Sequence, residues 1–270
     1  MIEELPGLGI TWHARWIFNC FVIHDGGAGR PVIVDLGIPG HLPPIVDGLR
    51  SAGTDIADVA CVVATHGHAD HVGGLPLLRR EQPVTVAFPA RIEAMLAGGP
   101  YRAPGPAQLA RILPVMADQP FELAAVRELG AAAKEIGYDS RAVRFPFTPE
   151  VWLSDGDVRP DAPDWQVITT PGHTDDSISL YRAATRTLIS GDAVLSVAGR
   201  GWFNPERVDE ADSAATEERL RALDVDHLLP GHGRVVSGPN ALRDAWSYSD
   251  RPPDSGALRS LVRVFRRHHH

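Results

Sequence analysis

The chain has 270 residues, a length that suits one large domain with a sizeable buried core. Hydrophobic residues make up 44% and charged residues 22%, which excludes a disordered or fibrous protein. The net charge of −8 argues against a nucleic-acid partner, and no apolar run reaches the roughly 18 residues needed to span a bilayer.

β-rich runs at Trp16 to Ile23 and Pro31 to Asp35 are separated by the turn-forming Asp25-Gly26-Gly27. Leu42, Ile45, Val46 and Leu49 then follow a helical period across 41–52, and Gly53 stops it. Val59 to Thr65 is apolar on both faces, as expected of a central strand, and runs directly into His66-Gly67-His68-Ala69-Asp70-His71. Val72 to Arg80 has a helical pattern, and Val84 to Phe88 is strand-like.

Residues 89–150 break this rhythm. Proline and glycine are dense from Gly98 to Pro106, and an amphipathic helix is predicted from Phe121 to Ile136, with Leu123, Val126, Leu129 and Ala133 on one side. The segment reads as a mostly helical insertion: a lid over something, a surface decoration, or equally the surface of a homodimer. Strand patterns resume at Trp165 to Thr169, Ser177 to Tyr181 and Thr187 to Ser190, with a helix near Asp209 to Leu223 and a strand at Val225 to Leu229. No repeat or low-complexity linker interrupts the chain, so one domain over 1–267 is the simpler account, and His268-His269-His270 reads as a purification-tag remnant.

The N-terminal stretch lacks a cationic segment ahead of an apolar one, so the usual secretion signal is not expected. Cys20 and Cys61 sit inside strand-like runs and read as buried thiols, not a disulfide, which suits a cytoplasmic setting. Of the 26 basic residues only Lys134 is a lysine. The densest basic run is Arg259, Arg263, Arg266 and Arg267, spaced like one face of a short helix.

The chemistry concentrates where strands end. His66-x-His68-x-Asp70-His71, Pro171-Gly172-His173-Thr174, Ser190-Gly191-Asp192 and Pro230-Gly231-His232-Gly233 each put a metal-binding residue just past a predicted strand, and Asp35 closes an earlier one. In an extended chain His66 and His68 point to the same side, so both can reach one ion. His66, His68 and His173 could hold one metal; Asp70, His71 and His232 could hold a second, with Asp192 between them. Imidazole and carboxylate without thiolate suit two divalent ions, zinc first, with iron(II) or manganese as alternatives. The remaining His13, His24, His41 and His227 are expected to be ordinary core or surface residues.

THGHADHVGG at 65–74, with PGHT at 171–174, SGD at 190–192 and PGHG at 230–233, resembles the metallo-β-lactamase superfamily. The resemblance covers about residues 19–233 and implies an α/β fold, a four-layer αββα sandwich with the metals at one edge between the sheets. It also implies the ligand set His66, His68, Asp70, His71, His173, Asp192 and His232, and casts Asp35 as a residue that orients the histidine loop. Thr65, the run PGHTDDSISLY and the run GDAVLSVAGRGWF resemble the hydroxyacylglutathione hydrolases, without their C-terminal glutathione-binding domain. The resemblance therefore implies an enzyme: a dinuclear-metal hydrolase of a small-molecule carbonyl ester, thioester or lactone. In it Asp192 bridges the ions around a hydroxide and Asp70 passes on the proton. Alternatives are a β-lactamase-type amide hydrolase, although several true β-lactamases carry cysteine at 192, or a mononuclear-iron sulfur dioxygenase. Trp202 and Phe203 are candidates for an apolar pocket wall, or else plain core.

Overall fold

The structure is a computed structural model that describes residues 1–252 apart from 103, 139–142 and 160. The basic run from Arg259 to Arg267 and the three terminal histidines lie outside the described residues.

The first half supplies β1 (Ile2–Leu5), β2 (Ile10–Arg15), β3 (Phe18–Ile23), β4 (Val32–Val34), β5 (Cys61–Val63), β6 (Val86–Pro89), a short hairpin of β7 (Gly137–Tyr138) and β8 (Val143–Arg144), and β9 (Val151–Leu153). Seven of these form one sheet in the order β1-β2-β3-β4-β5-β6-β9, antiparallel as far as β4 and parallel from β4 to β9. The second sheet takes β10 (Val158–Arg159), β11 (Ala162–Thr169), β12 (Ile178–Arg182), β13 (Thr187–Gly191), β16 (His227–Pro230) and β17 (Val236–Ser237). Between β13 and β16 the chain makes a separate hairpin, β14 (Val194–Val197) and β15 (Arg200–Phe203). The helices are α1 (Leu42–Ser51), α2 (Ala69–Val72), α3 (Leu75–Glu81), α4 (Ala90–Leu96), α5 (Leu113–Ala117), α6 (Leu123–Glu135) and α7 (Glu210–Arg221).

Alternation along the strands creates the layers. Phe21 of β3 and Val63 of β5 pack between the sheets with Val167 of β11 and Ile189 of β13. Their neighbours Val22 and Val62 face the other way, onto Ile45 of α1 and Leu78 of α3. On the far side, Ile168 and Leu188 meet Leu220 of α7. Burying each such side chain stabilises the fold by about 1.5–3 kcal/mol, so a one-residue slip that turned a strand over would be prohibitive. The result is the αββα sandwich, with α1, α3 and α4 on one face and α7 on the other.

Two expectations need correction. The strand expected from Trp16 begins at Phe18, because Trp16, at φ 50°, and Ile17 form the tight turn joining β2 to β3. Helix α6 lies where it was expected but buries a different face. Ala125 and Ala132 are buried while Leu123 is exposed. The cause is close approach: a Cβ on Gly73, just past α2, would lie 2.6 Å from Ala132 Cβ, so only small residues fit there. Glu128 turns inward with that face, accepting hydrogen bonds from Gly40 N and Arg15.

Candidate metal centre

Each expected ligand follows the carboxyl end of a strand. His66 to His71 follow β5, His173 follows β11, Asp192 follows β13 and His232 follows β16. Within each sheet these ends point the same way, since β5 runs parallel to β4 and β6, and β13 parallel to β16. The donor atoms of His66, His68 and His173 come within 4.8 Å of one another, and so do those of Asp70, His71 and His232. His66 Nε2 lies 3.0 Å from His68 Nδ1, which lies 3.2 Å from His173 Nε2. Asp192 stands between the two groups: Oδ2 is 3.5 Å from His173 Nε2 and 3.1 Å from His232 Nε2, and Oδ1 is 3.3 Å from His71 Nε2. Gly231 leaves room for this, because a Cβ there would lie 2.4 Å from Asp192 Oδ1.

The back of each ring is held. Asp35, at φ 58°, accepts from His71 Nδ1 at 2.8 Å, from the Thr65 backbone N–H at 2.7 Å and from the Thr65 hydroxyl at 2.9 Å. A left-handed aspartate is uncommon and costs of order 1 kcal/mol or more, a strain these three bonds offset. This is the orienting position that the resemblance implied. His66 Nδ1 donates to Thr65 Oγ1 (3.2 Å), His173 Nδ1 to the Glu206 carbonyl (2.9 Å) and His232 Nδ1 to the Ile17 carbonyl (3.2 Å). With those bonds made, Nε2 of His66, His71, His173 and His232 faces the centre, the ring orientation a cation needs.

Electrostatics divides the centre in two. Burial, together with the charge of His71 and His68, holds His66 well below its ordinary pKa, and burial with the neighbouring His173 brings His68 down to about 3. Burial also pulls on His71 and His232, but carboxylates win there. Asp192 and Asp35 raise His71 well above its ordinary value, and Asp192 and Asp70 lift His232 to about 10. The same pairing outweighs burial at both Asp70 and Asp192, holding each below the usual carboxylate range.

His71 Nε2 and Asp192 Oδ1 are buried yet lack a hydrogen-bond partner, although they face each other. Buried polar atoms without partners cost about 1–3 kcal/mol each, so facing atoms of this kind fit a cation between them. Among the described residues, five imidazoles and two carboxylates converge here, and the donor set suits a divalent metal. His13, His24, His41 and His227 lie in none of these groups; His41, for example, is buried and bonds to Phe18 O and Ile38 N.

Several contributors carry no motif. Asn19 takes the Trp12 indole N–H and donates to Pro230 O and Gly233 O, tying β3 to the His232 loop. Its one sequence signal is a polar residue inside the apolar run from Phe18 to Ile23. Asn204 donates to Asp192 O and thereby braces that loop. Phe18 meets the His232 ring edge-on at 5.7 Å, and Tyr138 meets His68 at 4.9 Å. Of the expected pocket wall, Trp202 and Phe203 are both buried in apolar clusters, so they are core. Cys20 and Cys61 are free, buried thiols, and burial pushes Cys61 up to about 12.

The family model of the metallo-β-lactamase superfamily matches residues 15–232. The chain belongs to that superfamily. Among superfamily relatives, the probable metallo-hydrolase YflN of Bacillus subtilis is 27% identical over 236 residues, 82% of this chain and 81% of that protein. The acyl-coenzyme A thioesterase MBLAC2 of Bos taurus is 29% identical over 250 residues, 82% of this chain and 76% of that one. The hydroxyacylglutathione hydrolase of Cereibacter sphaeroides is 26% identical over 240 residues, 88% and 69%. Likeness to that last enzyme is thus at the level of the superfamily. A solved B3 metallo-β-lactamase with an active-site glutamic acid superposes with a TM-score of 0.58 at 21% identity, covering 100% of this chain and 91% of that one, which shows the shared fold. Among the described residues, no helix is long and apolar enough to cross a membrane. As a superfamily member with this group of histidines and aspartates, the chain is a metal-dependent hydrolase.

Proposed function

We propose that this hydrolase cleaves a thioester, ester or lactone of a small acyl compound. One divalent ion would be held by His66, His68 and His173 and a second by Asp70, His71 and His232, with Asp192 within reach of both groups. The observation that carries the reading is the Asp192 carboxylate, within 3.1–3.5 Å of imidazoles from both groups. Two such ions, when bound, supply a water that ionises near neutral pH and a Lewis acid for the carbonyl oxygen. Zinc suits the donors best, and iron or manganese would use the same ones.

The chain's own side chains do the rest. Asp192 is closed off from solvent, whereas the Asp70 side chain is 21% exposed, which puts Asp70 in place to pass a proton outward. Edge contacts from His232 to Phe18, from Phe18 to Trp16 and from Trp16 to Phe121 make an aromatic path from the centre to the surface. That apolar flank suits an acyl substituent, and a thiolate leaves without needing a separate acid. Similarity to the acyl-coenzyme A thioesterase MBLAC2 supports a thioester, as does similarity to the hydroxyacylglutathione hydrolase. The net charge of −8 disfavours nucleic acid, and two buried thiols suit a cytoplasmic setting.

Zinc-loaded protein assayed on an acyl-coenzyme A thioester, a lactone, a phosphodiester and a β-lactam tests the reading. Turnover is expected on the thioester or the lactone, abolished by chelation and restored by zinc. Turnover confined to the phosphodiester or the β-lactam would overturn it.

A further inference from the structure

Tyr138, in the hairpin that closes the insertion, reaches the three-histidine half of the centre in three separate ways. Its ring meets His68 edge-on, with centroids 4.9 Å apart at 87°. The same ring covers Gly67, where a Cβ would lie 2.6 Å from Tyr138 Cδ2. Its hydroxyl donates to Asp176 Oδ1 at 2.6 Å, while Asp176 Oδ2 accepts the Gly67 backbone N–H at 2.9 Å. Asp176 is buried, three residues past His173. One carboxylate therefore joins the loop of His66 and His68, the loop of His173 and the insertion.

The sequence makes such a clamp necessary. Position 67 must be glycine to admit the tyrosine ring, yet glycine is the residue least able to hold a backbone direction by itself. It lies between two ligands, so any freedom at its φ and ψ swings His66 and His68 apart. The N–H bond to Asp176 on one side and the Tyr138 ring on the other remove that freedom. The Asp70, His71 and His232 half is braced differently, by Asp35 and the Ile17 carbonyl.

We propose that Tyr138 and Asp176 form a positioning pair that sets the Gly67 peptide, so that the insertion is a working part of the three-histidine metal position. This rests on the metal-centre reading above. It predicts an unequal effect: loosening the pair weakens the His66, His68 and His173 position and spares the other.

The test is a cobalt(II) titration of the metal-free full chain, with a competing chelator. The nitrogen-rich position and the one with the additional Asp70 carboxylate are told apart by their visible d–d bands, and folding is checked by circular dichroism. Tyr138→Phe and Asp176→Ala should each weaken the three-histidine position by about tenfold or more and leave the second within about twofold. Asp176→Asn keeps an oxygen for the Gly67 N–H and should recover to within about threefold of the wild type, a rescue that mere loss of packing would not show. If Asp176→Ala fails to fold, Tyr138→Phe and Asp176→Asn carry the comparison. Unchanged affinity in a wild type that fills both positions, or equal weakening at both, overturns the pair alone. A wild type that takes up no cobalt overturns the metal-centre reading and the pair together.

Discussion

His66 and His71 have ring centres only 4.0 Å apart, yet their surroundings push them in opposite directions. At His66, burial and the surrounding imidazoles outweigh the pull of Asp192, and its pKa falls. His71 lies between Asp192 and Asp35, and its pKa rises. One half of the centre is therefore ready to accept a cation, with His66 and His68 already neutral. In the metal-free chain the other half is held together by protons that a cation must displace. The two positions differ less in ligand type than in what stands behind the ligands.

The most drastic way to break that contrast is to remove a ligand from the prepared half. His68→Ala should empty the three-histidine position. Turnover should drop by more than the roughly 10–100-fold that loss of an outer hydrogen-bond partner costs, with the circular dichroism spectrum kept. Unchanged activity would show that the constellation is misread. Asp192→Asn should act on the other half, loosening its ion more than the first and taking the metal-to-protein ratio by elemental analysis from near two toward one. A ratio that stays near two would rule out Asp192 as the bridge. Asp35→Asn is milder, since the amide oxygen can still accept from Thr65 or His71. It should weaken the second position by about tenfold, read in the same titration.

Much of this was legible from sequence, for a physical reason. The seven candidate ligands follow the carboxyl ends of apolar strands, with Asp70 and His71 in the short helix α2 and the others in the loops, so a short stretch of chain fixes both residue type and direction. The strands were legible as short β-rich runs, whereas their division into two packed sheets came only as what the superfamily resemblance implied. Contributions that depend on surfaces meeting across long separations were not. Tyr138 and Asp176 are 38 residues apart and look unremarkable alone. The buried face of α6 was misassigned because periodicity favours the leucines, whereas the available gap beside Gly73 admits only Ala132. Trp202 and Phe203 could not be divided between wall and core, because both roles ask for the same apolar side chain.

The smallest expected effect sharpens the contrast through stability of the chelator-treated protein. His68, His41 and His13 have folded pKa values of about 3, 3 and 4, below the ordinary 6.5, so the unfolded chain binds more protons under acid conditions. Their stabilisation is complete above about pH 6.5 and is lost as pH falls from there. His71 and His232 are raised, the latter to about 10, so their contribution is complete below about 6.5 and is lost as pH climbs. Urea midpoints at pH 5, 6.5 and 9 should therefore peak at the middle value. A steady rise from pH 5 to pH 9 would contradict the opposed halves.

The central claim is a paired-cation site spanned by Asp192, and anomalous diffraction from a crystal of the zinc-loaded protein tests it most directly. Two peaks about 3.5–4 Å apart are predicted, one within reach of His66, His68 and His173 and the other of Asp70, His71 and His232, each touching an Asp192 oxygen. A single peak, or two peaks with Asp192 bound to neither, would contradict it.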